Sequence, residues 1–218
     1  MYGDGSQYTG QWRGGKRNGF GVYTSARGEI YEGKWVNDQR CGRGVWSSQL
    51  TNEKYEGNWE RHLPNGVGRR VYGDRNVYTG EFVDGLRQGP GTMEYAPTPA
   101  PTGKGKGKDK STLAVPASSY TGAWYKNMRH GEGRWAVVGS TAIAETEASL
   151  CPNTSVSTIA SVDLPSAGSG SSNKPMAVDA EISYEGEWYS DKRNGKGFAL
   201  HQSGKTSSGI FENDYLRN

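Results

Sequence analysis

Tyr31-Glu32-Gly33-Lys34-Trp35-Val36-Asn37-Asp38-Gln39-Arg40-Cys41-Gly42-Arg43-Gly44-Val45-Trp46 is the stretch on which the fold turns. Counting Tyr31 as offset 0, the Tyr, Gly and Trp at offsets 0, 2 and 4 share a parity. In an extended strand they point to one face. Glu32 and Lys34 lie between them, are polar, and point to the other face. Asn37-Asp38 are turn formers, and a second strand carries glycines at offsets 11 and 13, expected on a single face. The unit reads as a β-hairpin with one aromatic and one polar side.

The same five positions recur six times. Tyr8, Tyr31, Tyr55, Tyr78, Tyr120 and Tyr184 open the copies, and Trp12, Trp35, Trp59, Phe82, Trp124 and Trp188 follow at offset 4. The glycine pairs are Gly19/Gly21, Gly42/Gly44, Gly66/Gly68, Gly89/Gly91, Gly131/Gly133 and Gly195/Gly197. Successive tyrosines are 23, 24, 23, 42 and 64 residues apart, so the unit is 23–24 residues long and two units carry insertions. A fixed period of this length marks a repeat architecture. The chain divides into a partial unit with four hairpins (1–95), an insert (96–119), a fifth hairpin (120–138), a second insert (139–183), and a sixth hairpin with the start of a seventh (184–218). Such an arrangement is expected of a segment cut from a longer array, or of an array capped by half-units.

Composition agrees. Leu, Ile, Val and Phe make up only 30 of 218 residues, about 14%, too few for a conventional core. Gly supplies 33 residues, while Tyr (13), Trp (7) and Phe (4) supply the bulk, so order must come from aromatics and glycine. Every aromatic lies outside the two inserts. Residues 96–119 are rich in Pro, Gly and Lys, and residues 139–183 in Ser, Thr, Ala and Gly, so both are expected to be flexible loops leaving the same edge of the sheet. The first insert carries Lys104, Lys106, Lys108 and Lys110, a basic run open to anionic lipid, nucleic acid or an acidic partner but read first as a solvated linker.

The aromatic openings and Gly-x-Gly pairs resemble the MORN (membrane occupation and recognition nexus) repeat family, from about Tyr8 to Val138 and again from Tyr184 onward. The resemblance implies partner binding or dimerisation in cytoskeletal, ciliary or membrane-junction assemblies. Peripheral membrane binding is also attributed to the family, and its arrays accompany kinase and methyltransferase domains.

Read from the residues, the fold is all-β: an elongated single-layer antiparallel sheet of stacked hairpins. Rings from one hairpin are expected to rest on the bare glycine backbone of its neighbour, an aromatic cover that stands in for a second layer. Twelve strands at about 4.8 Å would span roughly 55–60 Å. The twelve repeat aromatics are therefore assigned to structure.

Catalytic chemistry finds little support. Ala199 to Thr206 follows a loose phosphate-loop pattern, but Gly204 sits where an inter-unit turn falls and no helix follows. His62, His130, His201, Cys41 and Cys151 form no zinc pattern; His130 and Cys41 share offset 10 but belong to the fifth and second units, too far apart to share a metal. No Ser/His/Asp constellation can be assembled. No cofactor, metal or nucleic-acid partner is expected, and without an apolar signal region or long apolar run the location is expected to be cytoplasmic.

Two candidate binding sets remain. Large side chains at offset 15, Tyr23, Trp46, Met93 and Trp135, vary between units and are expected to set specificity for a protein partner, a homodimer included. Offset 9 is Arg17, Arg40, Arg87, Arg129 and Arg193, with Pro64 the exception. That row suits an anionic phospholipid as the alternative ligand. The first reading of the row is nonetheless local pairing with acids such as Asp38, Asp84 or Asp191.

Overall fold

The computed structural model describes residues 1–98, 115–139 and 179–217. These form one open antiparallel sheet of fourteen strands, with no helix among the described residues. The hairpins are β1 (Gln7–Arg13) with β2 (Lys16–Thr24), β3 (Glu29–Val36) with β4 (Gln39–Ser48), β5 (Glu53–Glu60) with β6 (Leu63–Val71), and β7 (Val77–Val83) with β8 (Leu86–Tyr95). They continue with β9 (Ser118–Tyr125) and β10 (Met128–Val137), β11 (Glu181–Tyr189) and β12 (Lys192–His201), then β13 (Thr206–Glu212) and β14 (Tyr215–Arg217). Strand order in the sheet is chain order, a pure meander. The seventh unit, begun by Ser207 in the tyrosine position, thus closes a hairpin of its own and brings the count to fourteen strands instead of twelve.

Each hairpin turns through two residues that both have positive φ, for example Asn37 (48°) and Asp38 (68°), or Arg61 (47°) and His62 (71°). This is the turn whose twist matches paired strands. The long inserts were expected to fill 96–119 and 139–183, and most of both ranges lies outside the described residues. Their described ends are ordered into the sheet. Ser118 pairs with Tyr95 and Ser183 with Ala136, so β9 and β11 begin before their tyrosines. Beyond them, Thr98 and Val115 exchange two backbone hydrogen bonds of 3.1 Å. Both interruptions fall on the edge that carries the inter-unit turns.

The glycines at offsets 2 and 13 line up into one row across the sheet, Gly10 opposite Gly21, Gly21 opposite Gly33, and on without a break to Gly197 opposite Gly209. Over this row lie the tyrosines, but within their own hairpins. A Cβ added to Gly44 would stand 2.5 Å from the Tyr31 hydroxyl, and one added to Gly33 2.6 Å from the same atom. The expected packing onto a neighbouring hairpin is therefore met by tryptophan and not by tyrosine. Trp35 Nε1 donates to the Gly21 carbonyl of the preceding unit at 3.2 Å, and Trp59, Trp124 and Trp188 repeat the contact with Gly44, Gly91 and Gly133 at 3.1 Å.

The two glycines of each pair also differ in role. Gly44 is bare to admit a ring. Gly42 sits at an irregularity where β4 slips register against β3, with φ of 57°. A Cβ there would point at the Lys34 side chain on the polar face, 3.2 Å from its Cδ. The pair does not present one face, because the left-handed backbone at offset 11 turns that position over.

Candidate docking face

The core is a zipper of rings one layer deep. Each tyrosine meets the Trp or Phe of its own unit and that of the next edge-on, with centroids 5.0 to 5.5 Å apart, from Trp12 through Tyr8, Trp35, Tyr31 and Trp59 to Tyr184 and Phe211. Such T-shaped pairs are favourable beyond the area they bury. The hydroxyl of each of the six repeat tyrosines donates to the carbonyl three residues on, such as Tyr55 to Asn58 at 2.9 Å. Tyr31, Tyr55, Tyr78, Tyr120 and Tyr184 are almost wholly buried, and Trp35, Trp59, Phe82, Trp124 and Trp188 nearly so. Tyr8 and Trp12, on the first strand, are partly open, Trp12 at 52%. Burial pushes the phenols of Tyr55, Tyr78 and Tyr184 up to about 12 and raises Tyr31 and Tyr120 further.

The offset-9 arginines lie on this same face, each over the ring of the following unit. The guanidinium carbon is 4.2 Å from the Trp35 ring for Arg17, 5.0 Å from Trp59 for Arg40, 4.5 Å from Trp124 for Arg87, 4.2 Å from Trp188 for Arg129, and 5.1 Å from Phe211 for Arg193. The second turn residue of the next hairpin then clamps the arginine. Asp38 donates its N–H to the Arg17 carbonyl, while its carboxylate accepts from Arg17 N and Nε at 2.9 and 3.0 Å. Those bonds, the backbone one first, hold the Asp38 carboxyl below the usual carboxylate range. Asp191 does the same for Arg129, and Asp214 for Arg193. Asn127 takes the place for Arg87 and His62 for Arg40.

Local pairing, one of the expectations for this row, is thus realised with Asp38 and Asp191. Asp84 is displaced from it because Gly85 occupies the clamp position, donating to the Pro64 carbonyl at 2.8 Å. The clamp was not foreseen. Its signal was present: offset 7 is polar wherever the preceding offset 9 is Arg, and glycine where it is Pro64.

The offset-15 side chains form a row beside the arginines. Tyr23 is half-buried between Trp35, at 6.2 Å, and Arg17. Trp46 pairs across to Tyr31 and Tyr55, and Trp135 to Tyr120 and Tyr184; both are half-buried against the zipper. Met93 is buried at 3% exposure, so of the four it offers the least surface. In the third unit the position is Arg70, paired with Glu53 at 2.7 Å and lying 4.9 Å over the Tyr72 ring. Tyr72 and Tyr95, on the same parity two residues further along, extend the half-buried aromatic surface. A groove of about 200 Å³ opens where the first three units meet, walled by Arg17, Tyr23, Glu29, Arg40, Trp46 and His62.

The opposite face carries the polar residues of offsets 1 and 3. Among the described residues no group of three His, Cys, Asp or Glu side chains is placed to hold a metal. His201 Nε2 does come within 3.2 Å of Ser207 Oγ, but the Asp179 carboxylate bonds Ser203, leaving only its backbone oxygen beside His201 Nδ1. A family model for the MORN repeat matches residues 8–30, 31–49, 55–77, 78–97, 120–135 and 184–205. No curated protein matches the chain.

Proposed function

The chain belongs to the MORN repeat family, and we propose that it is a non-enzymatic scaffold whose aromatic face docks a partner protein in a cytoplasmic, cytoskeletal or ciliary assembly, alone or as a homo-oligomer. The observation that carries this reading is the row of half-buried Tyr23, Trp46 and Trp135 above a zipper that already satisfies itself. Tyr and Trp in partly covered positions are the side chains that dominate protein interfaces. A one-layer sheet has no second layer to cover them.

Anionic phospholipid is the weaker reading for the same face. Four of the five row arginines spend one terminal nitrogen on the clamp, and all five guanidinium groups lie over rings. A membrane needs a row of free cations.

The test is retention of proteins on immobilised full-length chain, compared between wild type and a Trp46→Ala/Trp135→Ala variant. Loss of specific retention, by about 2 kcal/mol or more of affinity per hot-spot ring, supports the reading; unchanged retention sinks it. Sedimentation with phosphatidylserine vesicles across a salt series distinguishes the lipid reading, since electrostatic lipid binding fades with salt.

A further inference from the structure

Five junctions between units hold an arginine at offset 9, and the second differs from the rest. Arg17, Arg87, Arg129 and Arg193 each place a terminal nitrogen on the backbone carbonyl of the clamp residue, at 2.7 to 3.3 Å. Arg40 does not. Its N and Nε each stand 3.5 Å from His62 Nδ1, the long limit of a hydrogen bond. No hydrogen bond or ion pair with another described residue engages its terminal nitrogens. The group is nonetheless half-buried over Tyr31 and Trp59. Those nitrogens are not among the buried unpaired atoms of the described residues, so water reaches them, and a carboxylate that replaces the water gains a charge-assisted pair.

Arg40 also lines the groove shared with Trp46, Tyr23, Glu29 and His62. Glu29 makes no ion pair with it. We propose that Arg40 is the anchor of a peptide subsite on the aromatic face: its two terminal nitrogens take the carboxylate of an Asp or Glu in an acidic partner segment, whose adjoining apolar side chain packs on Trp46 and Tyr23. The planar fork of a guanidinium matches a carboxylate in a bidentate pair. One open arginine among clamped ones fits a single acidic side chain and not a membrane plane. This assignment rests on the aromatic face being a docking surface for protein.

The discriminating variant is His62→Asp. Asp38, with φ of 68° against 71° at His62, shows that Asp fits this turn and closes the clamp on its arginine. The variant therefore keeps Arg40 but, as at Arg17, engages its Nε and one terminal nitrogen, so that the two-pronged pair is lost. A random peptide display library is panned against the full-length chain, and the enriched peptides are measured by fluorescence anisotropy. Binders are expected to share an acidic residue next to an apolar one. Converting that residue to its amide should cost roughly ten- to a hundredfold in affinity for wild type. His62→Asp should bind the acidic peptide weakly, with little further loss on amidation, while its thermal unfolding is unchanged or raised.

A library without binders, binders indifferent to the acid, or a full acid preference in His62→Asp overturns the proposal. Should Trp46→Ala abolish binding while His62→Asp does not, docking on the face stands and the arginine anchor falls. If neither Trp46→Ala nor Trp135→Ala alters binding, the docking reading falls with it. Phosphatidylcholine–phosphatidylserine vesicles that sediment wild type but release His62→Asp would assign the anion to a membrane, and overturn the peptide.

Discussion

A methyl group at Gly44 would meet Tyr31 at its hydroxyl and at two ring carbons 2.7 Å away, and the ring has nowhere to go without leaving the zipper. Gly42, two residues earlier, faces only the aliphatic stem of Lys34, with Cδ nearest at 3.2 Å. Gly44→Ala should therefore cost about 3 kcal/mol or more through overpacking. Gly42→Ala should cost about 1 kcal/mol, for a left-handed Ala. Urea denaturation of the two variants ranks them, and equal losses would refute the division of labour. The tyrosine hydroxyls belong to the same scale. Tyr55→Phe leaves the ring in place but strips the Asn58 carbonyl of its 2.9 Å donor, with an expected loss of about 1 kcal/mol. Which glycine takes a ring was not legible in a Gly-x-Gly pair, because spacing alone carries no sign of φ. The tyrosine spacing itself was.

At the scale of the hairpin, the turn chemistry varies more than the turn geometry. Gly14-Gly15, Asn37-Asp38 and Asp84-Gly85 suit two positive φ angles, whereas Arg61-His62 and Lys126-Asn127 place a long side chain in a left-handed backbone. Arg61→Asn should stabilise the chain by about 0.5–1 kcal/mol, since Asn tolerates that conformation and the Arg61–Glu60 pair it removes is exposed. Thermal unfolding of the full chain measures it; no gain would mean that the turn is not limiting. The second turn residue does further work by clamping the preceding arginine, so each turn belongs energetically to two units. This was the part of the candidate site least visible in sequence. Asp38 and Arg17 are 21 residues apart, and only stacking the hairpins puts one over the other.

Across the whole molecule the units act through nearest neighbours, as in other repeat proteins, and burial raises the phenol of each core tyrosine. The folded pKa of a core tyrosine lies above its unfolded value near 10, with Tyr55, Tyr78 and Tyr184 at about 12. The folded state therefore favours the neutral phenol. That contribution is complete below pH 10 and is lost as pH rises through the folded pKa. Loss of β-sheet circular dichroism is expected to begin above pH 10 and to coincide with tyrosinate absorbance. Tyrosinate appearing fully with the sheet intact would contradict the buried zipper.

The sequence by itself determined the period, the unit boundaries, the aromatic and polar faces, and hence a one-layer meander. All of these follow from side-chain parity in a strand and from the need to cover glycine with rings. Only the tertiary structure decided that tyrosines pack inside their hairpins while tryptophans bridge between them, that four arginines are clamped, and that Arg40 is left open. Those outcomes depend on register slips at offset 11 and on contacts between residues far apart in the chain, which local pattern does not encode.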